Sequence, residues 1–183
     1  MAKEEYADVC QLWALCNATG DFELVGDVCD DLLAVHTDRE KPVYRALLTY
    51  IYVAYNRPFN SKPKLLFLKN KLPAKHQTLH KQMVEHRNQI YAHTARDGPL
   101  KGRFNVNRVT VVRQRGGRLV VADKILSLPQ TVRKVKELAE CMCKIAYDER
   151  DKLLDKHEDK FPMGKAVYLN VTDPNGPFVL PAA

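Results

Sequence analysis

Cysteine is scarce in these 183 residues, and spacing pairs none of it. The five cysteines, at 10, 16, 29, 141 and 143, form no C-x-x-C motif and are odd in number. That pattern excludes a disulfide framework and a thiolate zinc site, and it predicts a reducing compartment. Long apolar runs are missing too: the most hydrophobic stretch, 43–55, has 13 residues, whereas a membrane helix needs about 20. The first residues, MAKEEYADVC, carry charges where a signal peptide would need an apolar run. Cytoplasmic localisation without a membrane partner is therefore expected. No internal repeat or low-complexity segment is present, which argues against a repeat array.

What is there suits one soluble domain with a real core. The apolar fraction is 45%, typical of globular chains. The net charge of +7 hides an asymmetry. Residues 1–40 hold ten acidic and two basic side chains, giving −8, and the remainder holds 27 basic and 12 acidic, giving +15. A basic body favours a polyanionic partner, nucleic acid being the usual one, although a solvated basic face has the same composition.

Periodicity predicts helices. From Asp21 as N-cap, Phe22, Val25, Val28, Leu32 and Val35 share one face, and a short helix over 4–17 precedes it. "PVYRALLTYIYVAY" starts with Pro42, is apolar almost all round, and reads as the central buried helix, stopping before Arg57-Pro58. "LLFLKNKL" suggests a helical turn, and a third helix runs from about Pro73 to His93. "RFNVNRVTVVRQRGGRLVVAD" alternates around Gly116-Gly117, the mark of a β-hairpin at about 103–123. Ser127 and Gln130 resemble a capping box for a last helix over about 128–157, with Val132, Val135, Leu138, Met142, Ile145 and Leu153 inward. The expected architecture is all-α: an up-and-down helical bundle over 1–160, one β-hairpin inserted before the last long helix, and an extended tail over 161–183.

The third helix carries the chemistry. With Met83 at 0° and 100° per residue, Leu72, His76, Leu79 and Ile90 fall within about 40° and define a buried stripe. Arg87 lies on that same stripe at about 40°, His80 near 60°, and His93 on the opposite flank near −80°. A buried cation needs an anionic partner, an open cleft or a subunit interface. An acidic residue of the preceding helices, such as Asp30 or Asp31, could serve.

Arg87, the polar Asn88 and His93, with five residues between the arginine and the histidine, together with "YNRPF" in the second helix and His80, resemble the abortive-infection branch of the HEPN superfamily. The likeness covers roughly residues 21–157. It implies a metal-independent endoribonuclease, used as a toxin or in phage defence, without a cofactor. His93 would be the general acid or base, Arg87 would bind the scissile phosphate, and Asn88 would orient the histidine. It also implies RNA as partner, a homodimer with the site at the dimer interface, and room for a neutralising antitoxin or defence partner. The alternative is a non-catalytic HEPN-like module that binds RNA or nucleotide, or dimerises. Family members that accept a nucleotide on tyrosine place it two residues after the histidine, where this chain has Ala95.

Other features carry less. Arg113, Arg115 and Arg118 of the hairpin, with His80 on the third helix, are the expected RNA-backbone contacts, although alternation equally makes the arginines a solvent face. His76 and His80 have the i, i+4 spacing of zinc ligands, but no acid or cysteine supports them, so no metal site is expected. Cys141 and Cys143 point apart on one helix, and Tyr44, Tyr50, Tyr52 and Tyr55 read as packing residues.

Overall fold

A computed structural model describes residues 2–35, 42–87, 110–113, 119–122 and 129–179. The described part is mainly helical: α1 (Ala2–Val35), α2 (Pro42–Asn60), a 3₁₀ helix (Leu66–Lys71), α3 (Ala74–His86) and α4 (Pro129–Lys156). Between α3 and α4, β1 (Thr110–Arg113) pairs antiparallel with β2 (Leu119–Ala122), Thr110 opposite Ala122 and Arg113 opposite Leu119. The all-α class with a hairpin before the last helix holds at this level. Asn88, His93, Arg115, Arg118 and Ser127 lie outside the described residues.

α1 and α4 form the spine. Their side-chain partners run in opposite directions: Asp30 with Lys136, the Thr19 carbonyl with Cys143, Glu23 with Tyr147, and Asp8 with Lys156. The two helices are therefore antiparallel along most of their length, about 42 Å for the shorter one. Leu15, Phe22, Val25 and Leu32 of α1 are buried in one core with Val132, Val135, Leu138 and Met142 of α4 and the face of α2. Ile145 and Leu153 are half-buried at the edge of this core.

Three expectations are corrected. Asp21 is no N-cap, because α1 continues unbroken through it. A cap is a local signal, whereas the apolar face runs on at three- and four-residue steps through Leu15, Ala18, Phe22 and Val25, all buried. The continuous interface outweighs the local preference. Asp21 instead accepts a hydrogen bond from Arg57 of α2 (Nη1–Oδ1 2.8 Å). Burial still raises the Asp21 carboxyl above its usual range, since the half-exposed Arg57 is too well screened to reverse it.

Secondly, α2 passes Arg57-Pro58 and ends at Asn60. A proline in the last turn removes a single backbone hydrogen bond. The carbonyls here find other donors: Ser61 N–H to Arg57 O at 2.8 Å, and Leu65 N–H to Pro58 O at 2.9 Å. The extra turn buries Phe59, 6.2 Å from the Phe22 ring and 4.9 Å from that of His80. Thirdly, α2 is not buried all round: it packs on α1 and α3 but leaves Val43 49% exposed, and α1 shares the centre, packing on both α2 and α4.

The chain after α4 folds back over the helix ends. β3 (Tyr168–Leu169) and β4 (Phe178–Val179) pair antiparallel, and Phe178 meets the rings of His157 (5.5 Å) and Phe161 (5.6 Å). Tyr6 of α1 donates to the Val171 carbonyl at 2.7 Å. Beneath this hairpin, Asp8 accepts from Lys156 (2.6 Å) and bonds His157 (2.9 Å). Burial alone would push the Asp8 carboxyl up, but the hydrogen bonds and charges of Lys156 and His157 hold it below the usual range. A carboxyl more acidic in the folded state stabilises in full above the ordinary aspartate range, and that stability is lost as pH falls through the folded value. Asp8→Asn is therefore expected to lower the urea midpoint at pH 7, through a loss of stability of at most about 1 kcal/mol because Lys156 is solvated. The variant should also lose less stability than the parent between about pH 5 and pH 3. Parallel acid limbs in the two urea series would contradict this.

Candidate functional site

α3 follows Pro73, which suits the residue before a helix because its missing amide is not needed there. The Pro73 carbonyl accepts the His76 amide at 2.9 Å. Of the expected stripe, Leu72, His76 and Met83 are buried and Leu79 is partly so, while Ile90 lies outside the described residues; His80, expected beside the stripe, is buried as well. At the end of the stripe stands Arg87, half-buried, its backbone N–H shared between the carbonyls of Met83 and Val84. Asp30 is engaged by Lys136 at 2.6 Å and is thus an ion-pair partner on the α4 side.

Tyr55, Asn56 and Phe59 of the segment YNRPF stitch α2 to α3. The Tyr55 hydroxyl bonds His80 Nδ1 at 2.8 Å. Asn56, fully buried, donates to the Tyr52 carbonyl (2.8 Å) and to the Met83 carbonyl (3.1 Å). Met83 O is also an acceptor for the Arg87 amide, so Asn56 supports the turn that positions Arg87. Phe59 packs edge-on against His80. Asn56 and Met83 pair below Phe59 and His80, so α2 and α3 run antiparallel here.

His80 is held by Tyr55: the hydroxyl and Nδ1 share the 2.8 Å hydrogen bond, and burial raises the Tyr55 phenol far above its usual range. Burial first, then the charges of Lys69 and Lys81, lowers the His80 pKa from its usual value. At neutral pH the ring is uncharged. His80, expected as an RNA contact, can offer a hydrogen bond there but no positive charge.

His80 lines a cleft of ≈ 710 Å³ between α3, the end of α2 and the 3₁₀ helix. Among the described residues, the Oδ1 atom of Asn56 is the one buried side-chain oxygen or nitrogen without a hydrogen-bond partner. Lys64, Lys69 and Lys81 stand on the rim, all exposed, with Glu85 as the acidic member. His80, Val84 and Arg87 follow at four- and three-residue steps, which places them on one ridge of α3. The ridge joins the cleft to Arg87 over about 10 Å.

Of the residues expected to act, the structure thus brings His80 and Arg87 onto one ridge. Arg113 is at the end of β1, opposite Leu119. Among the described residues, no group of three or more His, Cys, Asp or Glu is arranged to hold a metal ion. Sequence reasoning missed the three lysines and Phe59. The spacing of 64, 69 and 81 has no period in common, and only the packing of the 3₁₀ helix beside α3 gathers them. The chain matches no protein-family model, no curated protein and no solved structure.

Proposed function

We propose that the protein is a metal-independent endoribonuclease of the HEPN type, acting as a toxin or phage-defence effector. The supporting observation is the half-buried Arg87 closing a ridge that runs past a lysine-rimmed cleft. In this scheme Arg87 grips the scissile phosphate with its forked donors and stabilises the charge of the transition state. His93 moves the proton of the ribose 2′-hydroxyl or of the leaving oxygen, and Asn88 orients it. Six residues of helix advance about 9 Å and turn about 240°, so Arg87 and His93 of one protomer face apart if the helix continues. A two-fold axis near Arg87 brings both pairs around one cleft. The homodimer is therefore part of the proposal, as is cytoplasmic action on RNA.

The test is incubation of single-stranded RNA with the protein in the presence of a chelator. Cleavage leaving 2′,3′-cyclic phosphate ends is expected. Products with 5′-phosphates, or loss of cleavage on chelation, would sink the mechanism. Binding of RNA without any turnover would select the non-catalytic alternative, for which the open basic cleft is the favouring observation.

A further inference from the structure

We infer that the outer face of α1 docks antiparallel on the same face of a second copy of this chain. The core face of α1 is taken up by α2 and α4. On the other side Trp13, Asn17, Gly20, Leu24, Asp27 and Asp31 follow at alternating steps of four and three residues, and all six are exposed. That alternation marks a helix face that packs along another helix. Trp13, the single tryptophan of the chain, is 39% exposed, and Leu24 is 43% exposed. Between them the line is low. A Cβ at Gly20 would meet open space, and Asn17 lays its amide back on the Trp13 carbonyl at 2.9 Å. A second helix can therefore approach closely enough there for an indole and a leucine to bury each other.

Symmetry and charge choose a second copy as the occupant. An isologous contact repeats each pairing about its two-fold axis, so the face must be complementary to itself. An axis midway between positions 17 and 20 sets Trp13 of each copy on Leu24 of the other, and every position of the line falls on another. The same steps run back from Trp13 to the exposed Lys3, which in this register lies one turn from Asp31 of the second copy. A parallel alignment would instead stack Asp27 and Asp31 on their own counterparts, and like charges side by side repel. The line is about 45 Å long and about 10 Å wide, roughly 900 Å² over the two copies. That is below the area of permanent dimers, so the contact is reversible and depends on concentration. α1 and α3 pack on the same two helices, and docking through α1 leaves α3 uncovered. The contact is therefore separate from the two-fold axis proposed near Arg87, and it does not rest on the ribonuclease reading.

The test follows the Trp13 emission of the intact protein, together with its mass in solution, from about 1 to about 200 µM. Emission should shift to the blue as concentration rises, because the one indole leaves water. Leu24→Glu should hold the emission at its dilute, red position and halve the mass found for the parent at high concentration. Its affinity loss should be at least about tenfold, as for a central apolar anchor. Lys3→Glu should weaken association by about threefold. Lys3→Glu combined with Asp31→Lys should restore it, since the charged pair is exchanged across the axis. All three positions are exposed, so urea melts of the variants in dilute solution should overlay that of the parent.

Identical emission and mass in the parent and in Leu24→Glu overturn the inference, and so does a charge exchange that fails to rescue. Arg87→Ala separates the two contacts, because it should leave the Trp13 shift unchanged. A mass that falls with Arg87→Ala but not with Leu24→Glu would support the axis near Arg87 and remove this one. None of these readouts needs turnover, so a failure to cleave RNA leaves the inference standing.

Discussion

Arg87→Ala is expected to slow RNA cleavage by about 10²–10³-fold, the loss typical when one preorganised donor to a developing anion is removed. RNA affinity should stay within about threefold, because many dispersed lysines and arginines carry the phosphate contacts. Alanine keeps the backbone N–H that bonds the Met83 and Val84 carbonyls, and a urea melt of the variant checks that the fold is intact. Arg87→Lys should recover little activity, since an ammonium cannot reproduce the fork. His93→Ala should be equally inactive. Mixing inactive Arg87→Ala and His93→Ala protomers should restore activity if the site is shared across a two-fold axis. Wild-type cleavage rates for Arg87→Ala, or a monomeric protein at micromolar concentration, would refute the proposed site.

Phe22→Ala should cost about 3–5 kcal/mol of folding stability, the usual range for a buried aromatic truncated to alanine. Phe22 is 1% exposed at the middle of α1, with the rings of Tyr55 and Phe59 at 5.7 and 6.2 Å. Those two residues also hold His80 through a hydrogen bond and an edge contact. The cavity would therefore open where α1 meets the α2–α3 seam, and the seam carries the cleft. A domain of this size has about 5–15 kcal/mol in all, so the variant should approach unfolding at 37 °C. Leu24→Ala, two residues away but 43% exposed, is the control, and its cost should stay near 0.5 kcal/mol or about that. Urea melts of the two variants give the comparison. A loss below about 1 kcal/mol for Phe22→Ala would show that the aromatic cluster is not a keystone of the core.

Periodicity by itself determined the faces. The α3 stripe of His76, Met83 and Arg87, the inward residues of α4, and the antiparallel pairing of β1 with β2 follow from which positions recur at 3.6 or at 2 residues. Such patterns survive folding because each element buries the face it already has. Boundaries were less legible. Asp21 has the chemistry of a cap and Pro58 that of a stop, yet α1 and α2 run through both. Each local preference is worth about 1–3 kcal/mol, and a continuous apolar interface such as Leu15–Ala18–Phe22–Val25 outweighs it. The candidate site was half legible. Arg87 stood out because a cation on an apolar stripe is an anomaly that one helix reveals. The cleft was not visible, since Lys64, Lys69 and Lys81 are ordinary surface residues until the 3₁₀ helix packs beside α3. The same holds for the hydrogen bond of His80 to a hydroxyl 25 positions earlier in the chain. Contacts between elements that lie far apart in sequence have no period, and only the tertiary structure decides them.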